Sequence, residues 1–330
     1  MEQSNVEKLF KCIDEVTEII QSAKNETYLE SLILSLDTIL DDGTRNELDD
    51  VTERKVTKLV QAFNEEEFDA ESYRKALGLS ILKGMKGAAQ QQHLMTPDTV
   101  SFLISYLVNK LIDKKGQITI FDPASGTANL FTAVLNQIEN PVKAYASEVD
   151  PTLIELAVLN ANLQKREISF YHQDSLRPFL IEPVDFVVTD LPVGYYPDDV
   201  TAEEYQLKAD EGHSYSHHLF IEQSLKYIKD GGFFIGVIPE FLFDSDQSAK
   251  LHAFLQETAH IVGVIRLPET SFKSKNQAKS VLILQKKGYG TKEPKQPLLV
   301  QLPSFKNAHA TADIIKQINQ WFTSYPNRIK

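Results

Sequence analysis

The sequence predicts an α/β protein: a doubly wound, mainly parallel seven-stranded sheet preceded by an N-terminal all-helical unit. Apolar residues recur at helical spacing through the first ninety or so residues, and from residue 118 onward short β-rich runs alternate with helical ones. The last two of these runs leave little room for a helix between them, which predicts an antiparallel hairpin at the edge of the sheet. We therefore divide the chain into a helical domain, 1–90, and a second domain, 91–330.

The N-terminal unit is predicted to contain four amphipathic helices. Their apolar positions lie within 6–20, 29–40, 56–63 and 73–81. Such helices mostly bury one face in a core, so we interpret the unit as a support for the second domain rather than as a partner-binding module. A fifth helix is predicted to begin at Thr96-Pro97, with Thr96 as the N-cap and Pro97 at the first helical position.

Seven runs rich in β-branched and aromatic residues form the predicted sheet. They are 118–122, 142–148, 168–171, 184–190, 233–238, 261–266 and 281–285. A further extended run at 298–302 and a helix around 312–322 follow them.

Composition points to a globular protein of a reducing compartment. Apolar residues make up 42% and charged residues 24% of the chain, and the single cysteine, Cys12, cannot form an internal disulfide. No signal core or membrane-length apolar run is present, and no Cys/His cluster has zinc-site spacing. We expect a cytoplasmic protein with no membrane association and no metal.

The net charge of −12 predicts weak non-specific affinity for phosphate backbones. One segment is locally basic, and it reads equally well as a nucleic-acid face or as a solvated loop and strand edge. Its cations are Arg266, Lys273, Lys275, Lys279, Lys286, Lys287, Lys292 and Lys295.

Three acids stand at the predicted carboxyl ends of successive strands, where doubly wound sheets bind ligands. Asp122 ends the first strand, Glu148 the second and Asp174 the third. Glu148 is placed to accept from the two hydroxyls of a ribose, and Asp174 from an adenine amine. One such acid is more often a cap or a solvated strand end, but three in succession favour a nucleoside site.

A turn of small residues, Pro123-Ala124-Ser125-Gly126-Thr127, follows Asp122 and lets a ligand approach the backbone. Ala128 stands where the dinucleotide fingerprint requires glycine, which disfavours a nicotinamide or flavin cofactor.

These motifs resemble those of the class I S-adenosylmethionine-dependent methyltransferases. More narrowly, the chain is similar to the N6-adenine methylases and to the modification subunits of type I restriction systems. Gln92-His93-Leu94-Met95-Thr96-Pro97 is similar to the motif that precedes the catalytic domain in that group, and Leu267-Pro268-Glu269 to Phe272 is similar to its late Leu-Pro-x-x-x-Phe motif. The resemblance covers roughly residues 90 to 290.

The resemblance implies S-adenosyl-L-methionine as the cofactor. It assigns cofactor binding to Thr96, Pro97, Asp122, Pro123, Ala124, Gly126, Thr127, Asn129, Glu148, Val149, Asp174, Ser175, Asp190 and Pro192.

Asp190-Leu191-Pro192-Val193 occupies the place of the amino-methylase signature, Asn or Asp-Pro-Pro-Tyr or Phe. An exocyclic amine has its lone pair delocalised into the ring, so two acceptors are needed to turn it toward the sulfonium methyl. We expect Asp190 to supply one and the Leu191 carbonyl the other, with Pro192 stiffening the turn.

Val193 replaces the aromatic ring that stacks on a flipped base, a contact that contributes about 1–3 kcal/mol. Tyr195 or Tyr196 is the candidate substitute, and both are counted with Asp190, Leu191 and Pro192 as candidate catalytic residues. His217 and His218, further on, are interpreted as helix-start residues beside the pocket rather than as metal ligands, because no pair of carboxylates completes a metal site.

The leading hypothesis is therefore methyl transfer to the N6 amine of adenine in DNA, with target recognition supplied by a partner subunit or a homodimer, since no target-recognition domain is evident. One alternative keeps the chemistry and changes the acceptor to RNA or to a protein glutamine amide. Another is a regulatory protein that binds the cofactor and has lost catalysis.

Overall fold

The computed structural model describes residues 4–41, 48–64, 67–86, 95–113, 116–272 and 277–329. Within these ranges a sheet of eight strands carries helices on both faces and lies beside a group of N-terminal helices. The predicted doubly wound, mainly parallel sheet with its antiparallel hairpin is confirmed. It has one strand more than predicted, because Leu298–Gln301 also joins it.

The helices among the described residues are α1 (Asn5–Lys24), α2 (Tyr28–Leu40), α3 (Asp50–Asn64), α4 (Ala70–Met85), α5 (Asp98–Leu111), α6 (Asn129–Asn136), α7 (Pro151–Leu163), α8 (Asp199–Ala202), α9 (Ser216–Tyr227), α10 (Ser248–Thr258) and α11 (Ala308–Ser324). The strands are β1 (Ile118–Asp122), β2 (Val142–Glu148), β3 (Ile168–His172), β4 (Val184–Asp190), β5 (Ile228–Pro239), β6 (Ala259–Arg266), β7 (Lys279–Lys286) and β8 (Leu298–Gln301). No helix of this part of the chain is long and apolar enough to cross a lipid bilayer.

The strand order is β3-β2-β1-β4-β5-β7-β6-β8. Strands β3, β2, β1, β4 and β5 pair with one another in parallel, whereas β7 runs antiparallel between β5 and β6. The order reverses between β1 and β4, which is where a doubly wound sheet opens a crevice at its carboxyl edge. Because β7 is antiparallel, its first residue, Lys279, lies at that same edge, opposite Pro239 at the end of β5.

Alternate residues of the central strands pack on opposite faces of the sheet, as the period of two requires. Along β5, Phe233, Ile235 and Val237 pack against α5, α6 and α11, whereas Phe234 and Ile238 pack on the side of α9 and α10. This two-sided burial explains why the central strands are almost continuously apolar.

The first two helices begin where capping boxes predict that they should. Ser4 and Glu7 cap α1 reciprocally, as Thr27 and Glu30 cap α2, and each pair satisfies backbone N–H groups that have no partner within the helix. Asn25 ends α1 in the left-handed conformation with a φ of 57°. The turn between the two helices is therefore encoded locally.

The helical unit shares its core with the sheet domain. Leu9, Leu36 and Leu77 of the N-terminal helices form one buried cluster with Leu156 and Leu159 of α7, the helix that connects β2 to β3. The predicted supporting role follows from this packing, since α7 has one face on the sheet and the other on the helical unit.

Leu156→Ala should destabilise the whole chain as one unit. Leu156 is fully buried, so truncation removes about 2–5 kcal/mol of stability and weakens both regions at once. Urea unfolding followed by far-UV circular dichroism, which reports mainly on the helices, and by fluorescence of the single tryptophan, Trp321 in α11, should give coincident transitions that shift together. A helical signal that is lost at a lower urea concentration than the tryptophan signal would contradict a shared core.

Candidate active site

The loops at the carboxyl edge of the sheet are joined to one another by side-chain hydrogen bonds. Ser175, after β3, donates its hydroxyl to the Pro123 carbonyl in the turn after β1. Tyr196, after β4, donates its phenol to Asp174 at a distance of 2.5 Å. These contacts draw the predicted cofactor and acceptor motifs into a single site.

The turn after β1 is shaped to admit a ligand. Gly126 has a φ of 53°, and apart from Gly126 itself and its two chain neighbours no heavy atom of the described residues lies within 4 Å of the position that a Cβ on it would take. Ala128 is also left-handed, with a φ of 56°, so the alanine that departs from the dinucleotide fingerprint occupies a backbone conformation that favours glycine. Helix α6 begins directly after it, at Asn129.

Asp122 lies beneath this turn with 1% of its surface exposed. Its carboxylate accepts from the Ala124 N–H at 3.1 Å. Burial is the main cause that raises the pKa of Asp122 to about 7, and the charges of Glu148 and Asp190 add to the effect. At neutral pH this carboxyl is therefore divided between its two protonation states.

Glu148, at the end of β2, is held by three backbone N–H groups. Gly126 donates to one oxygen at 2.9 Å, and Val149 and Asp150 donate to the other at 2.9 and 3.0 Å. A carboxylate offers about four acceptor positions, so room for further donors remains. The bond from Gly126 fixes the turn after β1 against the end of β2.

Asp174 and Tyr196 form one unit. One oxygen of Asp174 accepts from the Leu176 N–H at 2.9 Å and the other accepts from the Tyr196 phenol. Tyr196 is buried with 5% of its surface exposed. The Tyr196 ring therefore lies beside Asp174, on the side of the site where the adenine of the cofactor is predicted.

Asp190, at the end of β4, has both carboxylate oxygens occupied. Lys279 donates to Oδ1 at 2.6 Å, and the Thr96 hydroxyl donates to Oδ2 at 2.8 Å. The prediction that Thr96 caps α5 is wrong: the helix begins at Asp98 with Pro97 at the N-cap position, and the Thr96 side chain bonds Asp190 instead. The preceding residues Gln92, His93 and Leu94 lie outside the described residues.

The loop after Asp190 turns outward. Leu191 is buried and its N–H bonds the Val237 carbonyl, whereas Pro192 and Val193 are exposed. Gly194 follows with a φ of 131°, a conformation open to glycine. Tyr195 stacks on Tyr215 with their ring centroids 4.9 Å apart.

That tyrosine pair belongs to an aromatic cluster at the start of α9. His217, His218 and Phe241 also contact the Tyr215 ring, and Tyr195 and Phe241 are both partly exposed. Burial, followed by the neighbouring His218, lowers the pKa of His217 to about 3, so its ring is neutral at pH 7. Both histidines lie in the first turn of α9, and the part of the chain that is described contains no group of three or more His, Cys, Asp or Glu side chains able to hold a metal ion.

Two site residues were missed by the sequence reasoning. The sequence predicts Lys279 only as one cation of the basic segment. Nothing in the local pattern indicates that β7 places it beside Asp190. Arg74 of α4 bonds the Asn129 side chain at 2.8 Å and was overlooked, although a cation on the apolar face shared by Leu77 and Ile81 was a signal.

The basic segment is largely engaged with the protein itself. Arg266 pairs with Glu240 at 3.3 Å, and Lys286 and Lys287 donate to backbone carbonyls. Lys273 and Lys275 lie outside the described residues. Fewer of these cations are therefore free for a phosphate backbone than the sequence suggests.

Two family models match the chain. That of the N-6 DNA methylases covers residues 81–325, and that of the YtxK N-terminal helical domain covers residues 7–85.

Relatives extend along the whole chain or most of it. A Bacillus subtilis (strain 168) protein, described as the uncharacterized protein YtxK, is 43% identical over 326 residues, which span 98% of this chain and 99% of that protein. The methylase subunit of the type I restriction enzyme EcoEI from Escherichia coli is 25% identical over 257 residues, 72% of this chain and 51% of that subunit.

Solved structures share the fold. A Listeria monocytogenes protein, described provisionally as a class I S-adenosylmethionine-dependent methyltransferase, aligns with a TM-score of 0.90 at 39% identity over 96% of this chain and 99% of that one. The type I restriction-modification methyltransferase subunit of Streptococcus thermophilus aligns with a TM-score of 0.63 at 14% identity over 94% and 74% of the two chains. The chain therefore belongs to the N-6 DNA methylase family, whose fold is that of the S-adenosylmethionine-dependent methyltransferases.

Proposed function

We propose that this protein transfers a methyl group from S-adenosyl-L-methionine to the N6 amine of adenine in DNA. The observation that carries the proposal is the order of acids along one edge of the sheet. Asp174, Glu148, Asp122 and Asp190 follow the ends of the adjacent strands β3, β2, β1 and β4 in that order. A nucleoside cofactor lying across these strand ends would have its sugar and base beside β2 and β3 and its reacting end beside Asp190.

The residues present fit that cofactor. Gly126 leaves open space against the backbone, as close approach of a ligand requires. Glu148 keeps one of its roughly four acceptor positions for a ribose hydroxyl, and Asp174 keeps positions for an adenine amine. The bound cofactor would supply an electrophilic methyl on a cationic sulfur, and Asp122, when ionised, provides the negative potential that such a cation favours.

The chain's own contribution to the chemistry is alignment of the acceptor. Asp190 and the Leu191 carbonyl accept hydrogen bonds from the two amine hydrogens, which turns the nitrogen lone pair out of conjugation and toward the methyl group. The proton released after transfer passes to the Asp190 carboxylate or to solvent. Thr96 fixes the rotamer of Asp190 through its bond to Oδ2.

A second candidate function is supported by the same site. Lys279 donates to Oδ1 of Asp190, and Val193 stands where the amino-methylase signature has an aromatic residue. Both features favour a regulatory protein that binds the cofactor without transferring its methyl group. In the enzyme, by contrast, the acceptor amine and the Lys279 ammonium compete for Asp190.

The acceptor and the recognition partner also belong to the proposal. Tyr195, stacked on Tyr215 and partly exposed, offers a ring close to the acceptor loop in place of the missing one. Target choice is proposed to come from a second subunit or a second copy of the chain, since the relatives that it resembles are subunits of type I restriction systems. RNA and a protein glutamine amide remain as acceptors that the assay distinguishes.

Transfer of a tritiated methyl group should label DNA in preference to RNA and protein, and Asp190→Ala should abolish the labelling. The variant loses an acceptor that holds the amine, so the rate falls by at least about a hundredfold while cofactor affinity, measured calorimetrically, stays within about threefold. Labelling of RNA or of protein alone would replace DNA as the acceptor. Cofactor binding without any incorporation would exclude the enzyme and support the regulatory function.

Lys279→Met should lower the acceptor KM about fivefold, because a partly buried ion pair worth about 1 kcal/mol no longer competes with the target amine. Lys286→Met is the matched control, since this lysine of the same strand donates to the Ile228 carbonyl. Steady-state kinetics with saturating cofactor makes the comparison. A higher acceptor KM in Lys279→Met would show that Lys279 helps to bind the acceptor.

Cofactor affinity should rise with pH up to about 7 and then level off. The pKa of Asp122 is about 7 in the free protein, and a bound cation favours the ionised form, so binding releases a proton wherever the free carboxyl is protonated. Asp122→Asn, which has no charge to gain, should flatten this profile. Calorimetric titrations at several pH values test it, and parallel profiles for the two proteins would contradict it.

A further inference from the structure

Among the described residues, Arg74 is the largest polar side chain that is fully buried, and it lies in the helical unit rather than in the sheet domain. Its side chain has no exposed surface. Burying a guanidinium is costly unless every face of it meets an acceptor. Its partners therefore identify what the cation is for.

The guanidinium group of Arg74 forms hydrogen bonds with residues of three helices, α4, α5 and α6. Nε and Nη2 donate to Glu71 in the same helix, Nη1 donates to Asp98 at 2.9 Å, and Nη1 also donates to the Asn129 side-chain oxygen at 2.8 Å. Asp98 is the first residue of α5, directly after Thr96-Pro97, and Asn129 is the first residue of α6, directly after the turn that contains Gly126. One side chain thus fixes the two segments that flank Asp190 and the cofactor turn.

The bond also decides how the Asn129 amide is turned. Arg74 has only donors, so it selects the amide oxygen and leaves Nδ2 on the other side. Asn129 is 4% exposed, and among the described residues Nδ2 has no hydrogen-bond partner. A buried donor without a partner at the mouth of a ligand site is suited to an anionic group of the ligand.

Helix α4 approaches the same segment one turn later. A Cβ on Gly78 would lie 3.1 Å from the Met95 side chain and 3.8 Å from the Asn129 oxygen. Arg74 and Gly78 are four positions apart and lie on one face of α4. Through them the helical unit lies against Asn129 and against Met95, the residue before Thr96.

We propose that Arg74 is a positioning residue for the amino-acid half of the cofactor, acting through Asn129 and the first turn of α5. This rests on the proposed function. The order of the strands separates the two halves of the ligand: the acids that suit a nucleoside stand beyond β2 and β3, on the far side of β1 from Asp190. Outside its own helix, the hydrogen bonds of Arg74 among the described residues go to the starts of α5 and α6, beside Asp190 and β1, so its loss should weaken binding of the amino-acid half and spare the nucleoside half.

Calorimetric titration with two ligands tests this. S-adenosylhomocysteine carries both halves, whereas 5′-methylthioadenosine lacks the amino acid. In Arg74→Met the affinity for S-adenosylhomocysteine should fall about tenfold or more, with that for 5′-methylthioadenosine within about twofold. Asn129→Leu, which keeps Arg74 paired with Glu71 and Asp98, should show the same selectivity, and it serves if Arg74→Met does not fold.

Lys83→Met is the control for a cation of the same helix that stabilises the unit alone, because Lys83 pairs with Asp14 and Glu18 of α1. It should leave both affinities unchanged. Equal losses for the two ligands in the Arg74 and Asn129 variants, or no loss, would overturn the positioning role while leaving the proposed function intact. Failure of the unmodified protein to bind either ligand would overturn the proposed function, and this inference with it.

Discussion

Four carboxylates lie at or just after the carboxyl ends of adjacent strands, and the need to satisfy buried acids there is the constraint on which the surrounding loops depend. Parallel strands end at a common edge, so Asp122, Glu148, Asp174 and Asp190 cannot be kept far apart. Each is compensated differently: Glu148 by backbone N–H groups, Asp174 by a phenol and a backbone N–H, and Asp190 by an ammonium and a hydroxyl. Asp122 accepts from the Ala124 N–H, and burial, with a smaller effect from the charges of Glu148 and Asp190, raises its pKa.

The compensating groups come from distant parts of the chain. Lys279 arrives on an antiparallel strand two places from β4, Tyr196 on the loop after β4, and Arg74 from the helical unit. Because these partners are held by the packing of separate elements, the site depends on the whole fold being assembled. The core that α7 shares with the N-terminal helices also holds the helical unit against the sheet domain.

The elements themselves were largely predictable. Strands β1, β2 and β4 have the predicted bounds, since β-branched runs bounded by acids and small residues encode them locally. The outcome at Thr96 differed because its hydroxyl donates to Asp190, which is distant in the sequence and cannot be identified from the local capping pattern. The eighth strand was visible as an extended run, but its membership of the sheet required knowing that β6 offers it a free edge.

The sequence by itself determined the order of secondary structure and the acids at the strand ends, because hydrophobic periodicity and turn chemistry act over a few residues. It also determined the absence of the signature's aromatic ring at Val193. Only the tertiary structure decided what those acids contact: that Lys279 holds one oxygen of Asp190, that Tyr196 is bound to Asp174, and that a buried arginine of the helical unit orients Asn129. Such contacts join residues tens of positions apart, and their geometry is set by strand order and helix packing rather than by local pattern.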